Sequence, residues 1–125
     1  MTIFEALVLA HITGDWLLQT EWQAENKAHS WRALGVHLAI YHALLLAVIV
    51  LWFHLTGPPV VWAVTFLVIT HALLDRRTGL LWVMRTLRLT VSRVPDRWMT
   101  IAVDQSIHLL LLGAVAVYLS RYLPA

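Results

Sequence analysis

Cysteine is absent from this chain of 125 residues, and only 13% of the residues are charged. Without cysteine the chain has no disulfides, thiolate metal sites, iron–sulfur clusters or cysteine nucleophiles. Hydrophobic residues make up 60% of the sequence, and the mean hydropathy is +0.73. A soluble domain of this length has too little interior to bury that much apolar surface. The composition therefore predicts a single membrane domain covering residues 1–125, and it excludes a disordered chain.

Four apolar segments are long enough to cross a bilayer, which needs about 17 to 25 residues per helix. They cover residues 2–20, 34–56, 59–76 and 97–121. The turn at Gly57-Pro58-Pro59 separates the second from the third, and Pro95 and Asp96 precede the fourth. The start of the chain lacks the positive n-region of a signal peptide, so we expect the first segment to be retained. The sequence predicts an all-α polytopic membrane protein, a bundle of four transmembrane helices.

Residues 79–93 have the pattern of a short amphipathic helix that lies in the membrane interface between the third and fourth spans. A cytoplasmic extension of the third helix is the alternative. In this segment and just before it, the polar residues lie towards one side of the helix and the apolar residues towards the other. The polar residues are Arg77, Arg85, Arg88 and Ser92, and the apolar residues are Leu80, Leu81, Met84, Leu87 and Val91.

Lysine and arginine are concentrated in the loops after the first and third spans. Eight of the nine basic residues lie there, and Arg121 alone lies on the other side. Since positively charged loops stay in the cytoplasm, we predict a multi-pass protein with both termini outside. The basic residues follow this topology and form no nucleic-acid-binding patch, so the expected partner is the lipid bilayer. The sequence leaves open whether several copies assemble as a homo-oligomer.

Three of the four aspartates have a histidine four residues away, and all three pairs lie inside hydrophobic segments. The spacing places both members of a pair on one helix face, one turn apart. In the predicted topology the three pairs and His37 lie at a similar depth, near the cytoplasmic leaflet. Ionisable groups at such positions are costly and mark a functional site. The pairs are His11/Asp15, His71/Asp75 and, in reverse order, Asp104/His108.

Imidazole and carboxylate side chains on facing helices suit a divalent transition metal such as zinc, manganese or iron. Seven candidates exceed the needs of one tetrahedral ion. Either two ions share the site, or some carboxylates accept a hydrogen bond from the second ring nitrogen of a histidine that binds the metal. His42 lies about 140° around the helix from His37 and is expected to point elsewhere. The candidate metal ligands are His11, His37, His71, His108, Asp15, Asp75 and Asp104.

The leading hypothesis is a metal-dependent membrane hydrolase that acts on a lipid-like or phosphate-bearing substrate. The metal would acidify a bound water, and whichever of Asp15, Asp75 and Asp104 does not ligate would be the general base. Basic residues beside the site would bind the substrate, although they also serve as plain topology determinants. The candidate substrate-binding residues are Arg76, Arg77, Gln19, Gln105 and Lys27.

Three other functions remain open for the same residues. A metal-ion or proton carrier would relay its ion along histidines and aspartates, although these cluster at one side. A haem-binding or electron-transfer subunit would use histidine pairs such as His11 with His71 or His37 with His108. A structural membrane protein would use the polar cluster only to fix helix packing.

The run His11-x-x-x-Asp15-Trp16-x-x-Gln19-Thr20, followed by Trp22, Lys27, His37, His71-x-x-x-Asp75 and Asp104-Gln105-x-x-His108, resembles the domain-of-unknown-function 3307 family. The resemblance spans nearly the whole chain. That family comprises small bacterial and phage-associated membrane proteins, so the resemblance implies a location in the bacterial inner (cytoplasmic) membrane. It implies no particular reaction. A similarity of pattern to bacterial membrane proteins described as metal-dependent hydrolases adds to the hydrolase hypothesis.

Overall fold

The computed structural model describes residues 1–89 and 96–123, which form helices and connecting turns without any strand. Two five-residue π-helical turns, Thr13–Leu17 and Val48–Trp52, directly continue the first and third helices. The predicted all-α fold class is confirmed for these residues. The helices are α1 (Ile3–Ile12), α2 (Glu21–Asn26), α3 (Trp31–Ala47), α4 (Pro58–Asp75), α5 (Thr78–Thr86) and α6 (Arg97–Ser120).

Four of the helices form the bundle, in the cyclic order α1, α3, α4, α6, so that each packs against two others. The short helix α2 packs on α3, while α5 packs on α4 and α6 at the same end of the bundle. We call the end next to α2 and α5 the polar half, because the buried histidines and aspartates lie there. The opposite end, next to the turn at Gly57, is the apolar half. Leu7, Leu45, Ile49 and Leu119 are buried within the core of the bundle.

Within residues 1–89 and 96–123, three helices are long and apolar enough to cross a membrane: α3 with its π turn (Trp31–Trp52), α4 and α6. The prediction of four spans is corrected on this point. Helix α1 has ten residues and its π turn five, which is short of the roughly 17 to 25 residues that a span needs. The chain turns early because Thr20 caps α2: its hydroxyl accepts from the Gln23 amide, and the Gln23 side chain accepts from the Thr20 amide.

Helix α5 is separate from α4, which corrects the alternative of one extended third helix. The break lies at Arg77, which has a left-handed backbone with φ of 60°. Leu80 and Met84 are buried against Leu74 of α4, whereas Leu87, which the sequence placed on the apolar side, is exposed. The predicted interfacial helix over residues 79–93 thus corresponds to Thr78–Thr86. Residues 90–95, which include Val91, Ser92 and Pro95, lie outside the described residues.

Candidate metal centre

Four side chains bring two imidazole nitrogens and two carboxylate oxygens towards one point. His37 Nε2 lies 3.3 Å from His71 Nε2, 3.2 Å from Asp15 Oδ1 and 3.3 Å from Asp75 Oδ2. His71 Nε2 lies 3.2 Å from Asp75 Oδ2 and 3.9 Å from Asp15 Oδ1. None of the four residues is more than 5% exposed. We call Asp15, His37, His71 and Asp75 the four-ligand cluster.

Most of the distances within the four-ligand cluster are those of a tetrahedral metal site. Ligands held at about 2.0–2.1 Å from zinc on the corners of a tetrahedron are about 3.3 Å from one another. Four of the five distances above are 3.2 or 3.3 Å. Asp75 Oδ2, although close to two imidazole nitrogens, makes no hydrogen bond among the described residues. Among the described residues, two overlapping groups have ligand atoms within 4.8 Å of one another and could hold a metal ion: Asp15 with His37 and His71, and His71 with Asp75 and His108.

The π turn after α1 positions Asp15 at the cluster. Its backbone closes with a hydrogen bond from the Leu18 amide to the Thr13 carbonyl, at 2.9 Å. Gly14 lies against Tyr41 of α3, and a Cβ added there would be 2.9 Å from Tyr41 Cδ2. Such turns are frequent at functional sites. The close approach of the turn to α3 carries Asp15 to His37, a contact that the four-residue spacing from His11 did not indicate.

Lys27, in the turn after α2, is paired with both carboxylates of the cluster. Its Nζ lies 2.9 Å from Asp75 Oδ1 and 3.5 Å from Asp15 Oδ1, and its side chain is 15% exposed. Substrate binding by Lys27 stays a prediction, and in the structure its ammonium is paired with these two carboxylates. With neutral imidazoles, the two carboxylates and the Lys27 ammonium carry one net negative charge, which favours a bound cation.

Gln105 of α6 joins the carboxylates of two predicted pairs. Its side-chain amide donates to Asp15 Oδ2 at 2.9 Å and to Asp104 Oδ2 at 3.2 Å. Its carbonyl oxygen accepts from Trp16 Nε1 at 3.0 Å. Substrate binding by Gln105 stays a prediction, and in the structure its side chain is hydrogen-bonded to two aspartates and to the rings of His11 and Trp16.

His11 is held by hydrogen bonds at both ring nitrogens. Its Nε2 lies 3.0 Å from the Gln105 carbonyl oxygen, which only accepts, so the proton of the neutral ring is on Nε2. Its Nδ1 therefore accepts from the Tyr41 hydroxyl at 2.9 Å. His11 was a predicted ligand, but the structure places it beside the four-ligand cluster with no nitrogen free. Its partner Asp15 is reached through Gln105.

His108 presents a free nitrogen next to the cluster. Its Nδ1 donates to the backbone carbonyl of Asp104 at 2.9 Å, which leaves a lone pair on Nε2 of the neutral ring. That Nε2 is buried and has no hydrogen-bond partner. Ligand atoms of His71, Asp75 and His108 lie within 4.8 Å of one another. His108 therefore forms a second possible ligand group with His71 and Asp75, while the Asp104 carboxylate, 18% exposed, lies outside this group and outside the group of Asp15, His37 and His71.

The other predicted substrate-binding residues make no hydrogen bond or ion pair with the four-ligand cluster within the described part of the chain. The Arg76 guanidinium lies 4.2 Å over the ring of Trp31 and keeps one buried nitrogen without a partner. Arg77 is exposed at the start of α5. The side-chain oxygen of Gln19 is buried and has no partner.

His42 lies at the edge of the cluster, which corrects the expectation that it points elsewhere. Its ring centroid is 4.9 Å from that of Tyr41 and 5.4 Å from that of His71. Helix α3 packs against both α1 and α4, so its buried face is wide enough to include a residue about 140° from His37. His29 and His54 are exposed.

The comparisons with known proteins give a family and no activity. The model of the family described as "Protein of unknown function (DUF3307)" matches residues 3–124 of this chain. The resemblance found in the sequence is thereby confirmed. No curated protein and no solved structure matches the chain.

Proposed function

Because the chain belongs to this family of proteins of unknown function, its activity has to be inferred from the site, and we propose that it is a metal-dependent membrane hydrolase. The observation that carries the proposal is the tetrahedral spacing of two imidazole nitrogens and two carboxylate oxygens in the four-ligand cluster. The substrate is lipid-like or bears a phosphate. Zinc fits the set best, since nitrogen and oxygen ligands at these separations suit its bond lengths.

The membrane setting of the proposal rests on the three apolar helices and on the basic loops. Helices α3, α4 and α6 cross the cytoplasmic membrane, and α1 enters it as a shorter fourth member of the bundle. The polar half faces the cytoplasm, because eight of the nine basic residues belong to the loops at that end. Both chain termini then lie outside, and the substrate reaches the site from the cytoplasmic leaflet.

Asp15, His37, His71 and Asp75 would hold the metal ion, and the chemistry that a bound ion would supply is a lower pKa for one water molecule at the site. The water oxygen forms a bond to the phosphorus of a phosphate ester, and the bond from phosphorus to the leaving oxygen breaks. Asp104 takes the proton of the water, since it is the aspartate that the four-ligand cluster leaves free, and the leaving oxygen takes up a proton. The Lys27 ammonium, already at the carboxylates, offsets the negative charge that develops.

Packing of the apolar half favours a hydrolase over a carrier. An ion carried across the membrane needs polar groups along its whole path. Beyond Tyr41 the bundle core consists of closely packed apolar side chains, including Leu7, Leu45, Ile49 and Leu112, each no more than 1% exposed. The polar groups described here therefore end halfway along the bundle, as suits a site open to one side.

The haem and structural alternatives fit the geometry less well. The His108 ring lies 4.6 Å from the His71 ring and stacks on the His11 ring at 5.3 Å, so the predicted haem pair of His11 and His71 is in contact with a third imidazole and has no room for a macrocycle. A network that only fixes packing would satisfy its own buried polar atoms. Here His71 Nδ1, His108 Nε2 and Asp75 Oδ2 have no hydrogen-bond partner in the part of the chain that the structure describes.

The test is release of phosphate by zinc-loaded protein in lipid nanodiscs, with phosphomonoester and pyrophosphate lipids as substrates. Asp104→Asn should abolish turnover and keep the zinc content, because the proton acceptor is lost and the four ligands remain. Asp96→Asn, an exposed change at the start of the same helix, is the matched control and should leave both unchanged. Zinc flux in proteoliposomes without phosphate release would replace the proposal with the carrier function.

A further inference from the structure

A small cavity lies between α3, α4 and α6, next to the metal centre. Its volume is about 10 Å³, which is the space of a single water molecule. Of the four-ligand cluster only His71 belongs to its lining, so the cavity adjoins the metal centre through that ring. Four of the lining residues carry polar groups, Tyr41, Thr70, His71 and His108, and the others are leucines of α4 and α6.

Two of these residues have a buried ring nitrogen without a hydrogen-bond partner among the described residues. The atoms are His71 Nδ1 and His108 Nε2, and the two residues are 2% and 4% exposed. When His71 Nε2 binds the metal, its Nδ1 carries the proton and can donate. His108 Nδ1 donates to the backbone carbonyl of Asp104 at 2.9 Å, so its Nε2 has a lone pair that can accept. The cavity is therefore bordered by residues that offer one donor and one acceptor.

A water molecule matches this cavity in both size and hydrogen bonding. Its oxygen accepts from His71 Nδ1, and it donates one hydrogen to His108 Nε2. The hydroxyl of Tyr41 donates to His11 Nδ1, and that of Thr70 donates to a backbone carbonyl one turn earlier, each at 2.9 Å. Each of these hydroxyl oxygens therefore keeps a lone pair that can accept the second hydrogen of the water. Such a water makes about three hydrogen bonds, which is typical of buried waters in proteins.

We propose that one water molecule bound in this cavity links His71 to His108, and that His108 is thereby a positioning residue for the metal ligand His71. This rests on the metal centre of the proposed function and adds to it the group that orients one ligand. A histidine that binds a metal donates its other ring N–H to a carboxylate, a backbone carbonyl or a water, which fixes the ring and strengthens the ligand. Among the described residues His71 Nδ1 has no carboxylate or carbonyl partner, so the water and His108 take that place.

A metal ion fits the cavity less well than a water. An ion there would face the N–H of His71, which repels a cation and would stay without an acceptor. Direct binding of His108 to the ion of the four-ligand cluster would likewise leave the His71 N–H unpaired. The water satisfies both imidazole nitrogens at once.

The experiment measures zinc affinity of the full-length protein in lipid bilayers by competition with a chelator. His108→Phe keeps a planar ring and removes the acceptor, and it should weaken zinc binding about 10- to 100-fold. His108→Gln should restore most of the affinity, because its amide oxygen can accept from the water. His42→Phe is the matched control and should keep the wild-type affinity. His42 also donates through Nδ1 to the carbonyl four residues earlier and has a buried Nε2 without a partner in the described chain, but it does not line the cavity.

Solid-state NMR with isotope-labelled histidine provides a readout that a change in packing alone would not move. In the zinc-loaded wild type, the proton on His71 Nδ1 should show a cross-peak to water. The cross-peak should be lost in His108→Phe and kept in His42→Phe.

The outcomes separate this inference from the proposed function. Equal zinc affinity in His108→Phe and wild type, or a His71 Nδ1 proton without contact to water, would overturn the inference and leave the proposed function standing. A third imidazole bound to zinc in X-ray absorption would make His108 a direct ligand, which overturns the inference as well. A wild type that binds no zinc and still shows the water cross-peak would overturn the metal centre and support the water site.

Discussion

The two halves of the bundle differ in the interactions that hold their helices together. In the apolar half, Leu7, Leu45 and Leu119 are completely buried, and dispersion contacts between complementary shapes hold the helices together. In the polar half the same helices converge on three aspartates, one lysine and several imidazoles, some of whose buried atoms have no partner. The apolar half is complete in itself, whereas the polar half is built for a ligand. The variants below test that difference, from the largest expected effect to the smallest.

Removing one charge of the polar half should have the largest effect. Asp75→Asn takes away a carboxylate that faces His37, His71 and Lys27, and breaking a buried ion pair costs about 3–5 kcal/mol of unfolding free energy. It should also abolish zinc binding. Denaturation in detergent micelles and elemental analysis measure the two effects. Asp96→Asn, at an exposed position, should change neither, and a zinc-binding Asp75→Asn protein would contradict the ligand assignment.

Truncating a core side chain of the apolar half should cost stability without touching the metal. Leu45→Ala leaves a cavity at a residue with no exposure and should lower the unfolding free energy by about 2–5 kcal/mol. Zinc content per folded chain should be unchanged. The neighbouring Leu46, 39% exposed, provides the control, because its truncation should have little effect. Loss of zinc in Leu45→Ala would show that the two halves are coupled.

A methyl group at Gly14 should strain the connection between the halves. Gly14→Ala places its Cβ 2.9 Å from Tyr41 Cδ2, and such overpacking costs about 1–3 kcal/mol. The displaced π turn should carry Asp15 away from the cluster and weaken zinc binding, which competition with a chelator measures. Gly35→Ala meets no atom within 4 Å and should stabilise α3 by up to about 1 kcal/mol. Equal zinc affinity in both variants would contradict the conclusion that the π turn positions Asp15 for metal binding.

Loss of one hydroxyl should have the smallest effect. Tyr41→Phe removes the hydrogen bond to His11 Nδ1 and should cost about 1 kcal/mol. Because neither residue belongs to the four-ligand cluster, zinc content should persist. Tyr122→Phe, at a position 48% exposed, is the control for both measurements. A zinc-free Tyr41→Phe protein would contradict the conclusion that His11 is not a metal ligand.

The helix faces of the buried histidines and aspartates, and their common position along the bundle, could be predicted from the sequence. Most contacts between their side chains could not. The four-residue spacing of His71 and Asp75 indicated a shared face, and the two side chains do meet, at 3.2 Å. The same spacing at His11 and Asp15 produces no direct contact, because a π turn intervenes and Gln105 bridges the pair. Periodicity assumes a regular α-helix, and it therefore misses such a turn.

Contacts made by irregular segments could not be predicted from the sequence either. Lys27 lies in a turn whose path depends on how α2 packs against α3, so its pairing with Asp15 and Asp75 is a tertiary feature. The first helix was predicted too long, because the prediction used the hydropathy pattern and not the capping box at Thr20 and Gln23, which starts a new helix. Hydropathy identifies apolar segments, and capping residues decide where each helix ends.

The most direct test of the metal centre is X-ray absorption spectroscopy at the zinc edge, combined with elemental analysis of the purified protein. We expect one zinc ion per chain with nitrogen and oxygen ligands at about 2.0–2.1 Å, including two imidazoles. The spectrum should lose imidazole scattering in His71→Ala and keep it in His54→Ala, since His54 is exposed and distant in the fold. A natively purified, active protein that holds no metal and takes up none would contradict the metal centre.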